Sequence, residues 1–206
     1  MKFSELFEMS TYIPRELPVS DVKLYVVSAD TLDREFTTLG VQRRGDANFA
    51  VALKKDYKIA IIGRMIKREA DNKFAIEVMV TMKFHINPDL GEAGSNGLQI
   101  DIVESIEETK GFGLGYTLYK TLLNNGYTLV SDNVQYIGGR ELWKKIVRYS
   151  AKENHNVFIM RYGKYLRDDN EQVIRYDGSN IPDSEIWSTD KKSEKHYYTL
   201  LVAKNI

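Results

Sequence analysis

The strongest chemical signal in this chain is a run of alternating glycines. It consists of Lys110, Gly111, Phe112, Gly113, Leu114, Gly115 and Tyr116. Alternating apolar residues at 98–106 predict a strand before the run, and an amphipathic pattern from Tyr116 predicts a helix after it. Because glycines leave backbone amides uncovered and a helix N-terminus carries partial positive charge, this arrangement is typical of an anion site. We expect a pyrophosphate there; the competing interpretation is a plain tight turn.

The elements that must position this turn are mostly strands. Apolar runs and turn residues predict strands at 22–27, 48–54, 57–63, 74–84, 98–106, 127–131, 157–162 and 197–203. Helices are predicted at 31–36, capped by Thr31 or Asp30, at 116–125, ended by Gly126, and at 140–152. Since a helix connects 98–106 to 127–131, those two strands should be parallel neighbours. We therefore predict an α/β (α+β) fold with a mixed, mostly antiparallel sheet of six or seven strands.

Bulk properties narrow the class of protein. The 206 residues favour one domain, residues 1–206, with an extended lead-in at 1–19 and a polar insertion at 164–195 before the last strand. Equal numbers of acidic and basic residues argue against broad nucleic-acid binding. The absence of cysteine excludes disulfides and thiolate sites. No apolar run approaches the ~20 residues of a membrane span, and the first residues do not resemble a secretory signal, so we expect a cytoplasmic protein.

The glycine run and the elements around it resemble the GCN5-related N-acetyltransferase (GNAT) superfamily. Its signature for acyl-coenzyme A is Arg/Gln-x-x-Gly-x-Gly/Ala at the start of a helix, and Lys110, Gly113 and Gly115 fit it, with lysine in the Arg/Gln place. The strand at 128–131 and the helix segment 142–146 match the next elements of the family. The resemblance is clear over residues 98–162 and weak over 22–203.

The resemblance implies acetyl-CoA as co-substrate and direct attack of an amine on the thioester. The acceptor, whether a small molecule, a protein or a nucleic-acid base, stays open. The acidic strand end offers Glu104, Glu107 and Glu108 as proton acceptors, of which we favour Glu104. In this fold the parallel strands part and the pantetheine lies between them, so Ser131 would face the site. Tyr136, in the next loop, is a candidate general acid.

Other features of the sequence matter for the alternatives. Trp143 stands where many family members carry a tyrosine that protonates the leaving thiolate, and an indole cannot act as an acid. This change motivates a second hypothesis, a catalytically inactive GNAT-like binding protein of the kind that bacteriophages use in host interaction or nucleic-acid modification.

His85, His155 and His196 show no metal-ligand spacing, so no metal is predicted. The basic cluster Lys144, Lys145 and Arg148 is a solvated helix face, a contact for the ribose phosphate of the coenzyme, or a contact for an acidic partner.

The acceptor pocket is predicted from segments with little sequence pattern. In this family it is built from the N-terminal segment and the loops. We expect these loops at 31–47, 87–97 and 164–195.

Overall fold

The computed structural model describes residues 25–67, 73–86, 90–94, 97–106, 109, 112–132, 137–150, 152–187 and 199–205. Over these residues the protein is an α+β fold built on one mixed, mostly antiparallel, open sheet. The sheet has ten strands, not the six or seven predicted. The predicted lead-in at 1–19 and residues 188–195 of the insertion lie outside the described residues.

The first half of the sheet is a meander of hairpins with one short strand beside it. Its elements are β1 (Tyr25–Val27), α1 (Ala29–Glu35), β2 (Phe36–Arg44), β3 (Ala47–Lys54), β4 (Ile59–Lys67) and β5 (Phe74–Ile86). Strands β2 to β5 pair antiparallel in chain order, and β1 pairs with the start of β5. The predicted hairpin around Lys55 and Asp56 is confirmed.

The second half is built with crossovers. Its elements are a 3₁₀ turn (Gly91–Ala93), β6 (Gly97–Ser105), α2 (Leu114–Asn124), β7 (Thr128–Val130), α3 (Ile137–Ser150), β8 (His155–Arg161), β9 (Lys164–Tyr165), α4 (Asp183–Ile186) and β10 (Thr199–Asn205). The order across the whole sheet is β2-β3-β4-β5-β6-β7-β10-β8-β9. β6 and β7 are parallel, as predicted, and β10 lies antiparallel between β7 and β8.

Helices cover both faces of the sheet. α2 and α3 share the main core with one face, where Leu118, Leu122 and Ile146 are buried against Val80 and Met82. α1 packs on the opposite face. β5 serves both faces because a bulge at Met79 reverses the alternation of its side chains. The largest core therefore lies under α2, which follows the glycine run, and α3.

Several predicted boundaries were wrong for local reasons. α1 begins after Ser28, whose hydroxyl accepts a hydrogen bond from the amide of Thr31, so neither Thr31 nor Asp30 is the cap. Residues 36–44, assigned to a loop, form β2; this edge strand is polar and broken by a bulge, which hides the alternation. α2 begins at Leu114 instead of Tyr116, and Gly138 and Gly139 lie inside α3 instead of before it.

Candidate functional site

The parallel pair β6–β7 opens after three residue pairs. Gly97, Leu98 and Gln99 are opposite Thr128, Leu129 and Val130. β6 continues to Ser105, whereas β7 ends at Val130. In the part of the chain that the structure describes, no residue of β7 lies opposite the second half of β6. The backbone along this edge of β6 is therefore beside an opening in the sheet.

A bulge interrupts β6 at the start of this opening. Lys83 of β5 is opposite Ile102, and the next residue, Phe84, is opposite Ile100. Asp101 is thus an extra residue in the strand, two positions beyond the last parallel pair. Such bulges commonly redirect side chains beside functional sites.

The glycine run forms the turn into α2. Gly113 is the N-cap of the helix with φ +71°, a left-handed conformation that favours glycine. Phe112 is exposed and Leu114 is buried, so the turn is anchored by one side chain and open on the other side. The backbone amide of Thr117 donates the first hydrogen bond of the helix, 3.0 Å to the carbonyl oxygen of Gly113. The amides of residues 114–116 consequently have no carbonyl behind them within the helix. Lys110 and Gly111 lie outside the described residues.

Two basic side chains from distant elements approach this turn. Arg44, at the end of β2, donates to the carbonyl oxygen of Phe112 at 2.6 Å and to the hydroxyl of Thr117. The Nζ atom of Lys145 on α3 lies 3.5 Å from the position that a β-carbon on Gly113 would occupy. Both cations stand close enough to the turn to raise the local positive potential.

Lys145 and its neighbour on α3 differ in their surroundings. Lys144 pairs with Asp183 at 2.5 Å. Lys145 lies over the ring of Tyr116, with its Nζ 5.1 Å from the ring centroid. Lys144 is thus held in an ion pair, whereas Lys145 lies beside the glycine turn, and the interpretations of this basic cluster stay predictions. Sequence reasoning missed Arg44 altogether, because it lies 68 positions before Phe112 and was assigned to a loop.

Tyr116 packs at the same turn. Burial raises the pKa of its phenol to about 12, and the nearby Glu153 carboxylate and Tyr149 add to this effect. The ring of Tyr149 stacks at an angle against it, 5.6 Å between centroids. At neutral pH the Tyr116 hydroxyl is therefore protonated and can donate a hydrogen bond.

The three candidate catalytic residues have different surroundings. Glu104 lies near the end of β6, and its carboxylate pairs with Lys83 at 3.3 Å. Ser131 follows β7 and is buried, and its hydroxyl accepts a 2.9 Å hydrogen bond from the amide of Leu201. This bond gives the hydroxyl a structural task in joining β7 to β10. Tyr136 lies outside the described residues. Roles in catalysis for all three stay predictions.

Trp143 belongs to the core. It is almost fully buried, and its ring meets Tyr119 edge to face, with 5.8 Å between centroids and an interplanar angle of 86°. Burial also raises the pKa of the Tyr119 phenol. The side chain at position 143 is thus part of the packed interior between α3 and α2.

Two of the segments predicted as acceptor-pocket loops contain regular secondary structure or short strand pairings. Residues 31–47 are the end of α1, β2 and the turn after it. Part of 164–187 is ordered by short pairings, Phe158 with Arg175 and Arg167 with Val173. Among the described residues, no group of three or more His, Cys, Asp or Glu could hold a metal ion.

Comparison with known proteins adds no assignment. The chain matches no protein-family model, no curated protein and no solved structure. Within the described ranges, every helix is too short or too polar to cross a membrane.

Proposed function

We propose that this protein is an acyl-CoA-dependent N-acyltransferase that transfers an acetyl group from acetyl-CoA to an amine. The observation that carries the proposal is the parallel pair β6–β7, which opens after Gln99 and leads into an exposed glycine turn at the start of α2. An opening beside a strand edge, with a helix N-terminus next to it, suits a long ligand that carries a diphosphate at one end.

The residues at the turn suit the phosphate end of such a ligand. Gly113 keeps the backbone free of a β-carbon, and the amides of residues 114–116 are available as donors. Arg44 and Lys145 supply positive charge from two other elements. By the family resemblance, residues 110–116 would hold the pyrophosphate.

The chemistry would be direct transfer. The lone pair of a neutral amine attacks the thioester carbonyl, and a backbone amide of β6 steadies the oxyanion. The C–S bond then breaks, the thiolate takes a proton, and the amine gives up a proton to a base. In this scheme Glu104 is the predicted base, Tyr136 is the predicted acid for the leaving thiolate, and Ser131 is predicted to face the site. No covalent intermediate with the protein is required.

The second candidate is a GNAT-like protein that binds the coenzyme or a partner without turnover. Three observations favour it: Trp143 is a core residue, the Ser131 hydroxyl is engaged by Leu201, and the Glu104 carboxylate is engaged by Lys83. In this candidate the glycine turn still binds the coenzyme, and Glu104, Ser131 and Tyr136 have no catalytic role.

The decisive experiment is thermal unfolding with acetyl-CoA. A ligand at about 100 times its dissociation constant adds about 2.7 kcal/mol to stability, which raises Tm by about 5–10 °C in a chain of this size. Gly113→Glu should abolish the rise, because it adds a carboxylate where phosphate would bind and strains a positive φ.

A matched control separates strain from loss of the site. Gly45 has φ +57° in an exposed hairpin turn, with nothing within 4 Å of an added β-carbon. Gly45→Glu should lose similar stability but keep the coenzyme effect. A Tm rise with turnover on a panel of primary amines supports the enzyme, and a rise without turnover supports the binder. The absence of any rise in the wild-type protein would reject the enzyme and the coenzyme-binding form of the second candidate.

A further inference from the structure

A histidine and an aspartate meet beside the opening in the sheet. The Nδ1 atom of His85 on β5 lies 2.6 Å from Oδ1 of Asp101 on β6. Their side chains are 53% and 48% exposed, so solvent and small molecules reach both. The two residues are 16 positions apart in the chain, and the strand alternation predicted for β6 gave no reason to join them.

The pairing fixes the chemical state of the imidazole. An ionised carboxylate only accepts hydrogen bonds, so the Nδ1 atom of His85 must carry the proton that is shared with Asp101. In the neutral ring the Nε2 atom then holds the lone pair. Carboxylate orientation of this kind prepares a histidine to accept a proton at its outer nitrogen.

The position of the pair follows from the register of three strands. His85 is opposite Gln99, and Gln99 is the last residue of β6 that is opposite β7. The Gln99 amide also reaches across to the carbonyl of Ser131, at 3.4 Å. Asp101 is the bulge residue just beyond this point. The His85–Asp101 pair therefore lies where β6 parts from β7.

We propose that His85, oriented by Asp101, is the base that takes the proton from the acceptor amine. This inference rests on the proposed acyltransferase function. The amine nitrogen forms the C–N bond with the thioester carbonyl, the C–S bond breaks, and the thiolate leaves and is protonated. The proton lost by the nitrogen passes to Nε2 of His85 and from there to solvent, which the exposure of the ring permits.

This assignment competes with Glu104. One oxygen of the Glu104 carboxylate is held by the Lys83 ammonium, 3.3 Å away. The hydrogen bond of His85 uses Nδ1 and leaves the Nε2 atom for the amine. The two candidates lie on the same strand pair, so separate variants can distinguish them.

The first test is the tautomer of His85, read from the ¹⁵N shifts of its ring in the folded protein. The neutral ring should carry its proton on Nδ1, and in Asp101→Ala it should revert to the Nε2–H form that is commoner in water. A wild-type ring with the proton on Nε2 would overturn the proposal, whether or not the protein turns over.

The second test is steady-state turnover with acetyl-CoA and a panel of primary amines: spermidine, tyramine, lysine and a lysine peptide. His85→Gln should lower kcat about 10²-fold, and Asp101→Ala about tenfold, while acetyl-CoA still raises Tm as in the wild type. Free imidazole should restore part of the activity of His85→Ala.

Arg64→Gln is the control, because it removes a cross-strand ion pair with Glu77, 2.6 Å, in the meander. It should leave kcat unchanged. Wild-type turnover with His85→Gln within twofold would overturn the dyad alone, as would loss of kcat in Glu104→Gln with full activity in His85→Gln. A wild-type protein that binds acetyl-CoA and acetylates none of the amines would overturn both the enzyme and this inference.

Discussion

Strands β2 to β5 each pair with their neighbours in the chain, whereas strands β6 to β10 are ordered by crossovers and a late return. In the meander, alternate residues of β3 and β4 enter cores on both faces.

In the crossover half, β7 is short and reaches only the first three residues of β6. The helix that connects them starts at an exposed glycine turn, and basic side chains gather there. A backbone edge stays available where β6 continues beyond the end of β7. We infer that the meander supplies rigidity and the crossover half supplies recognition, with Arg44 reaching from one to the other.

The variant with the largest expected effect on this comparison replaces a glycine in the meander. A β-carbon on Gly63 would lie 2.0 Å from the carbonyl oxygen of Glu77, which is backbone and cannot step aside. Gly63→Ala should cost ~3 kcal/mol of folding free energy, measured by urea unfolding. At a temperature where the variant is folded, it should still bind acetyl-CoA with wild-type affinity.

Gly40→Ala, in β2 of the same meander, is the matched control. Its β-carbon would meet only a methyl of Thr121, at 3.4 Å. We expect a change within about 0.5 kcal/mol. If folded Gly63→Ala lost coenzyme binding while Gly40→Ala kept it, the meander would be part of the site and the comparison would fail.

The converse experiment removes a charge at the glycine turn. Lys145→Gln should weaken acetyl-CoA binding about tenfold, about 1.4 kcal/mol, with little change in Tm of the free protein. Lys144→Gln, next to it, loses only the ion pair with Asp183 and should bind normally. Isothermal titration of both variants measures the difference.

The same variant shows which phosphate is involved. If Lys145 serves the diphosphate, the tenfold loss persists with 3′-dephospho-acetyl-CoA. If it serves the ribose phosphate, the loss disappears with that ligand. Equal affinities of Lys145→Gln and Lys144→Gln for acetyl-CoA would remove Lys145 from the site.

Much of the fold could be predicted because its signals are local. The strands around Val51 and Ile61 are short apolar runs and the strand around Val80 alternates, and the glycine turn and Gly126 lie at the two ends of α2. β2 was missed because its exposed edge is polar and its bulge shifts the register between Thr38 and Gly40. The short β9 has too few residues for any period.

The site was predictable only where it is continuous in sequence. The glycine run and the parallel strands were found in this way. Arg44, Lys145 and the His85–Asp101 pair reach their neighbours through strand register and helix packing, which no spacing reveals. The bulge at Asp101 depends on the pairing of β5 with β6, which strand alternation alone does not reveal.

The smallest effect is expected at Glu92, which tests whether the crossover half also has purely structural parts. Its carboxylate accepts from the amide of Tyr165 at 2.9 Å and from Arg167 at 3.1 Å, tying the 3₁₀ turn to β9. These contacts, the Tyr165 amide first, lower the pKa of Glu92 below its usual value. Since the folded pKa is the lower one, the stabilisation is present above the unfolded pKa of about 4.3 and is lost as pH falls through the folded value.

Glu92→Gln should therefore lower Tm slightly at pH 7, and the difference from wild type should vanish at strongly acidic pH. Glu141→Gln, whose exposed carboxylate is 3.6 Å from its neighbour Arg140, should match wild type throughout. Because Glu92 touches the 3₁₀ turn and β9 and not the glycine turn, the coenzyme-induced rise in Tm should be the same in both variants. A reduced rise in Glu92→Gln would mean that coenzyme recognition extends across the sheet to its opposite face. Every residue of the second half, from β6 onwards, would then belong to the part of the protein that recognises the coenzyme.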